Sequence, residues 1–108
     1  PARINYGQQN TLPFQPGIVI SDEPGLYFEG EHGVRMENLV ECVELPTGML
    51  GFVPLTMAPI DRDVLDPALM EPIDIRRLDA YHALVYDALS PYLHGEDLDY
   101  LENATQAL

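Results

Sequence analysis

The chain has 108 residues, enough for one compact domain with a modest hydrophobic core. Its formal net charge of −13 comes from 18 acidic residues against five arginines and no lysine, so we expect neither nucleic acid nor an anionic membrane as a partner. No apolar run reaches the roughly 20 residues of a membrane-spanning helix. The single cysteine, Cys42, excludes an intramolecular disulfide and indicates a small buried side chain in a soluble, cytoplasmic protein.

Short extended segments separated by glycine and proline occupy the first half of the chain. A Gly- and Pro-rich loop is predicted over residues 1–17. The first strand is expected to close in a turn at Pro24 and Gly25, and the last to be an edge strand because Pro54 cannot donate to a ladder. Four strands joined by tight turns predict an antiparallel sheet; they are placed at residues 18–20, 26–28, 34–45 and 52–57.

The last third of the chain has helical periodicity. Asp66 and Glu71 each precede a proline, which is typical of a helix start. Apolar residues then recur at spacings of three and four, at Ile75, Leu78, Tyr81, Val85, Ala88, Leu89 and Tyr92. Pro91 and Gly95 end this stripe, and a shorter one follows from Leu98. The predicted fold class is α+β: an antiparallel sheet followed by a C-terminal helical hairpin.

Two glutamates are the strongest candidates for chemistry. Glu23 follows an apolar strand, and Glu37 is predicted to lie in the middle of the next long strand, flanked by apolar residues. A carboxylate in that setting needs a cation or a hydrogen-bond donor, and two facing carboxylates repel each other unless they share a metal. Spacing alone leaves two interpretations open, a metal site or a pair of solvent-facing glutamates.

The residues around these glutamates form two recognisable motifs. Glu-Pro-Gly-Leu-Tyr (23–27) followed by Gly-Val-Arg-Met-Glu-Asn (33–38) resembles the pattern that closes the active site of pita-bread metallopeptidases, the aminopeptidase P and prolidase group. Residues 51–61 resemble a segment peculiar to the long, three-domain aminopeptidase P enzymes, which continue into a helical tail. The resemblance covers nearly all of the chain and implies the C-terminal part of a pita-bread fold.

Enzymes of that family cleave the peptide bond before a proline in the second position, using two divalent metal ions, usually manganese. The resemblance places one metal ligand at Glu23 and a bridging ligand at Glu37. It gives Arg35 a role in orienting a carboxylate or a substrate group, and Tyr27 a supporting hydrogen bond. Hard oxygen ligands suit manganese.

Three of the five family ligands lie upstream of the region that this chain resembles. The chain begins at Pro1 without methionine, which indicates a cut or processed chain, so we expect no activity from the 108 residues alone. Residues 1–58 are interpreted as the end of the catalytic domain and residues 59–108 as a helical extension. The expected partners are a peptide substrate, the missing N-terminal part and a second copy, since unpaired strands favour a homodimer.

Other interpretations and candidates are weaker. The chain is alternatively a pita-bread-like binding module without catalysis, or an acidic interaction domain that oligomerises. His32 is interpreted as an exposed loop residue, His82 as a packing or surface residue at a helix flank, and His94 as a helix-terminus residue. Asp22 is expected to point away from Glu23. Three further aspartates suggest capped turns rather than a calcium loop: Asp61, Asp63 and Asp66.

Overall fold

The computed structural model of the protein describes residues 13–108, which fall into two compact units separated between Thr56 and Met57. The first unit contains antiparallel strands and the second contains helices, so the predicted α+β class is confirmed. Most of the predicted N-terminal loop lies outside the described residues. Each unit is described below by itself.

Five strands make up the described part of the first unit. A three-stranded sheet has the order β1-β4-β5, and β2 and β3 form a two-stranded sheet. All of these pairs are antiparallel. The strands are β1 (Val19–Asp22), β2 (Gly25–Phe28), β3 (His32–Arg35), β4 (Asn38–Glu44) and β5 (Leu50–Pro54).

The two sheets share one hairpin register. In the β1–β4 ladder Asp22 pairs with Asn38, and in the β2–β3 ladder Gly25 pairs with Arg35. Counting inward from both pairs leaves Glu23 opposite Glu37 and Pro24 opposite Met36. The amide of Met36 donates to the carbonyl of Pro24 at 3.2 Å, but proline has no amide to return the bond. The ladder therefore breaks here while the register continues.

This continuity corrects two predictions. The chain does not turn at Pro24 and Gly25: it stays extended into β2 and reverses at residues 29–31, where Gly30 has a φ of 74°. The long strand expected over residues 34–45 is also wrong, because residues 36–37 separate β3 from β4. Glu37 thus lies in the break between two strands and not in the middle of one.

The core of the first unit is small. Ile20 on β1 and Cys42 on β4 are buried, and Cys42 has no exposed surface, as its apolar neighbours predict. The strand β5 lies at an edge of its sheet among the described residues. The edge-strand prediction is therefore confirmed, although the strand begins at Leu50 and ends at Pro54.

The second unit contains two α-helices, α1 (Pro72–Leu89) and α2 (Glu96–Ala104). Proline occupies the first turn of α1, as predicted, because it lacks the amide that would have no partner there. Gly95 precedes α2 with a φ of 57°, a conformation that favours glycine. The helical hairpin of the prediction is confirmed.

Single turns of 3₁₀ helix precede and follow α1. Asp61 and Asp66 cap the two turns before it, because each side chain accepts a hydrogen bond from an amide two residues on, at 3.0 Å. The capped-turn interpretation of these aspartates is confirmed. A third 3₁₀ turn, Ser90–Tyr92, follows α1 and contains Pro91.

The core of the second unit contains an unexpected histidine. On α1 the buried residues are Leu78, His82 and Val85, at helical spacings of four and three, and Leu101 on α2 is also buried. The sequence left His82 as a packing or a surface residue at the helix flank; it packs in the core, and the surface alternative is wrong. Within residues 13–108, no helix combines the length and apolar character required to cross a membrane.

Candidate functional site

One face of the strand hairpin carries every residue that the sequence singled out for chemistry. Side chains alternate between the two faces of a strand, so residues 21, 23, 25 and 27 project from the same side as residues 33, 35, 37 and 39. The structure brings Glu23, Tyr27, Arg35 and Glu37 together on this face, which is named here the carboxylate face. Asp22 pairs with Asn38, one position out of phase with Glu23.

Arg35 lies between the two glutamates. Its Nε is 3.7 Å from Oε2 of Glu23 and 4.0 Å from Oε2 of Glu37. One terminal nitrogen of the same guanidinium donates to the hydroxyl of Tyr27 at 3.4 Å. The glutamate side chains are 45% and 47% exposed, so water reaches both carboxylates.

Arg35 offsets part of the negative charge on this face. Tyr27 raises the pKa of Arg35 above its ordinary value most strongly, and the negative charges of Glu23 and Glu37 raise it further. Two facing carboxylates repel each other, and the guanidinium beside both of them offsets that repulsion. Ion pairs this exposed add little to stability. The backbone register, more than the ion pairs, therefore sets the arrangement.

Two glycines provide the space in which the Tyr27 ring lies. A Cβ atom added to Gly25 would stand 2.6 Å from the Tyr27 hydroxyl, and one added to Gly33 would overlap Cδ1 of the same ring. Neither glycine has a positive φ, so the backbone conformation does not require glycine at either position. The missing side chains let the ring lie across the hairpin and bring its hydroxyl to Arg35. The sequence had assigned Gly25 to a turn.

The carboxylate face fits part of a metal centre. Carboxylate oxygens are hard donors of the kind that manganese and magnesium bind, and both glutamates already converge on a cationic group. Within the part of the chain that the structure describes, no cluster of three or more His, Cys, Asp and Glu residues could hold a metal ion. Glu23 and Glu37 thus offer two ligands, and a complete centre needs others.

The three histidines have different surroundings. His32 is the first residue of β3, with 69% of its side chain exposed, and its closest acidic group is its neighbour Glu31, at 4.0 Å. His94 lies between the 3₁₀ turn and α2 and is exposed. His82 is buried in the second unit, where its Nε2 accepts a hydrogen bond from the amide of Ile60 at 3.1 Å.

Sequence reasoning missed one polar contact on the carboxylate face. The hydroxyl of Ser21 donates to Oε1 of Glu23 at 2.8 Å. The two residues are two positions apart on one extended segment, so they share a face, and this period of two was the signal available in the sequence.

A comparison with protein-family models matches residues 48–108 to the C-terminal region of peptidase M24. The match covers more than half of the chain. The chain belongs to the M24 peptidase family. The matched residues of this M24 chain begin after Glu37, so family membership does not by itself assign the carboxylate face.

Relatives of the M24 chain extend the similarity to its first half. A probable Xaa-Pro aminopeptidase P from Aspergillus fumigatus is 36% identical over 102 residues, and one from Laccaria bicolor is 37% identical over 94 residues. These matches cover 88% and 81% of this chain but 15% of each relative. The chain therefore spans less than a fifth of the length of the relatives it matches.

A solved structure shows the same architecture. The X-prolyl aminopeptidase of Caenorhabditis elegans, described as a cytosolic enzyme with a di-nuclear active site, matches with a TM-score of 0.77 and 30% identity. The match covers 88% of this chain and 17% of that protein. The predicted C-terminal part of a pita-bread fold is confirmed by this similarity.

Proposed function

We propose that this chain is part of a metallo-aminopeptidase that removes the N-terminal residue from peptides with proline in the second position. The observation that carries the proposal is the position of Arg35 Nε within 4.0 Å of both Glu23 and Glu37, on facing segments of one hairpin. The similarity to Xaa-Pro aminopeptidases over most of the chain supports the substrate class. Residues 1–58 would belong to the catalytic domain and residues 59–108 to its C-terminal extension.

Glu23 and Glu37 would hold a pair of divalent metal ions together with ligands from the rest of the protein. The di-nuclear site of the similar nematode enzyme supports the number of ions, and the hard carboxylate donors support manganese. Such ions supply Lewis acidity that activates water and polarises the peptide carbonyl. Because two glutamates do not complete such a centre, residues 1–108 alone would bind metal weakly and would not cleave peptides.

The other residues of the carboxylate face would support the two ligands. Arg35 offsets part of the negative charge of the two carboxylates and keeps their side chains directed toward one another. Tyr27 accepts a hydrogen bond from the far side of the guanidinium, which limits the orientations that Arg35 can take. We further propose a cytoplasmic location, in line with the cytosolic nematode enzyme, and a homodimer.

The test uses the full-length protein that carries this chain. Glu37→Gln keeps the shape of the side chain and removes its charge. We therefore expect kcat/KM for an Xaa-Pro peptide with added manganese to fall by about 100-fold or more, since substitution of residues that only orient metal ligands already costs about 10- to 100-fold. Hydrolysis is followed by release of the N-terminal amino acid, before and after treatment with a chelator.

The matched control is Glu44→Gln, which removes the same charge from the far end of β4. The control should keep activity within about twofold, as expected for a surface substitution. Equal losses of activity in both variants would show that Glu37 is not a metal ligand. Binding of the peptide by wild-type protein without any cleavage would favour a non-catalytic binding module instead.

A further inference from the structure

The two carboxylate oxygens of Glu23 have different partners. Oε1 accepts the hydrogen bond from the hydroxyl of Ser21 at 2.8 Å, whereas Oε2 is 3.7 Å from Nε of Arg35. Ser21 lies on β1, which ends one residue before Glu23, and its backbone is paired with Leu39 of β4. Ser21 therefore holds Oε1 of the carboxylate, while Oε2 is directed toward Arg35 on the facing segment of the hairpin.

We propose that Ser21 is a positioning residue that presents Oε2 of Glu23 as the metal-binding atom. This inference rests on the function proposed above, since it concerns the same site. The serine hydroxyl holds Oε1 back along β1, so that Oε2 faces Arg35 and Glu37. None of the other residues that the sequence motifs contribute to this face hydrogen-bonds Oε1 of Glu23 within the described residues.

The hydroxyl is required because little else restrains the carboxylate. The last torsion of a glutamate side chain is broad and roughly two-fold, so packing has to select its orientation. With its side chain 45% exposed, Glu23 has few such contacts, and the ion pair to Arg35 is long for a hydrogen bond. A hydrogen bond to an ionised oxygen is short and strong by comparison, and it fixes which oxygen faces outward.

The opposite residue offers the hydroxyl no alternative side-chain partner. Ser21 faces Leu39, whose side chain has no polar atom. If the position served only the sheet, a β-branched apolar residue would suit it as well or better. Threonine and valine at this position separate the two roles, because they have nearly the same shape and differ in the hydroxyl.

The experiment measures manganese binding by the full-length, chelator-treated protein without any turnover. Isothermal titration gives the dissociation constant for wild type, Ser21→Thr, Ser21→Val and Ser21→Ala. We expect Ser21→Val and Ser21→Ala to weaken binding about tenfold, at the lower end of the 10- to 100-fold typical for residues that orient metal ligands. Ser21→Thr should stay within about twofold of wild type, because it keeps the donor.

A second readout separates positioning from catalysis. At saturating manganese, the activity of Ser21→Val should return to within a fewfold of wild type, because the hydroxyl acts through Glu23 and contacts neither substrate nor attacking water. Ser21→Ala repeats the test with a smaller side chain, in case valine disturbs the fold.

Two contrary outcomes have different meanings. If Ser21→Thr and Ser21→Val bind manganese equally well while wild type binds and cleaves, the role of Ser21 is overturned and the proposed function stands. If wild-type protein neither binds manganese nor cleaves an Xaa-Pro peptide, the proposed function is overturned, and the role of Ser21 with it.

Discussion

Glu23 and Glu37 in the strand unit each keep nearly half of their side-chain surface in water, whereas His82 in the helical unit has none. The glutamates interact through exposed ion pairs, which contribute little to folding. His82 accepts a hydrogen bond from the amide of Ile60 inside the core of its unit, where an unsatisfied amide is costly. Polar groups of the first region are available for ligands, and that of the second is committed to the fold.

The helical unit contains a second example of the same commitment. The guanidinium of Arg62 donates to the carbonyls of Asn103 and Ala107, at 3.3 and 3.1 Å, near the C-terminal end of α2. A cation there complements the negative end of the helix. These hydrogen bonds connect the first 3₁₀ turn, which contains Arg62, with the last residues of the helical unit. Substitutions should accordingly affect stability in the helical unit and metal-dependent activity in the strand unit.

The largest expected effect on folding comes from His82→Leu. Leucine fills a similar volume but leaves the amide of Ile60 without its acceptor, so we expect the free energy of opening of α1 to fall by about 1–3 kcal/mol. Hydrogen–deuterium exchange of the α1 amides in the full-length protein measures it directly. Activity toward an Xaa-Pro peptide should remain close to wild type.

His82→Gln is the matched control, because its side-chain oxygen keeps an acceptor near the position of Nε2. Its α1 amides should exchange more slowly than those of His82→Leu. Equal exchange in the two variants would show that the hydrogen bond to Ile60 does not stabilise the helical unit. The conclusion that the polar group of His82 serves the fold of the helical unit would then be wrong.

Much of the fold followed from local patterns in the sequence. Strand alternation and glycine and proline residues predicted short antiparallel strands, because both signals act over a few residues. They left open whether Glu23 and Glu37 face one another, and they placed the first turn wrongly at Pro24 and Gly25. The break at residues 36–37 was missed, since it depends on Pro24 on the opposite strand, which has no amide to complete the ladder. Gly25 and Gly33 carried no local sign that they make room for Tyr27.

His82 was misplaced for a related reason. Tyr81 and His82 are adjacent on α1, and the apolar pattern alone favours tyrosine for the core. The structure buries the histidine instead, and its partner Ile60 lies 22 positions earlier in the chain, beyond the reach of any periodicity. Tyr81 also makes a tertiary contact, since its hydroxyl donates to the carbonyl of Ala58 at 2.8 Å, so both contacts lie outside what the helical pattern can show.

The next effect in size sharpens the comparison from the side of the strand unit. Gly33→Ala introduces a Cβ that overlaps the ring of Tyr27, which then has to leave its place beside Arg35. Since Tyr27 is 62% exposed, the ring can move into water with little cost to folding. We expect kcat/KM in the full-length protein to fall about tenfold. This is less than the roughly 100-fold loss that misplacing a reacting group can cause, because Tyr27 acts only through Arg35.

A double-mutant cycle isolates the cause of that loss. In a Tyr27→Ala background the overlapping ring is absent, so Gly33→Ala should have no further effect on kcat/KM. If Gly33→Ala costs as much without the ring as with it, the glycine serves the backbone of β3 and not the position of Tyr27.

The smallest expected effect concerns pH and again belongs to the helical unit. Burial lowers the pKa of His82, the positive charge of Arg62 lowers it further, and Asp79 partly opposes both. In the unfolded chain histidine titrates near its ordinary value of about 6.5, so at lower pH the unfolded state binds a proton that the folded state does not. The stabilisation is complete above that value and is lost as the pH falls toward the depressed pKa of the folded state.

Exchange of the α1 amides in wild type and His82→Gln, compared at the same pH, isolates this contribution, because intrinsic exchange rates then cancel. Wild type should lose its advantage over His82→Gln as the pH falls from about 7 to below 6.5, where the imidazole of the unfolded chain takes up a proton and the glutamine does not. A constant difference across that range would mean that His82 takes up its proton equally in both states. Its burial in the helical unit would then impose no penalty on the charged form.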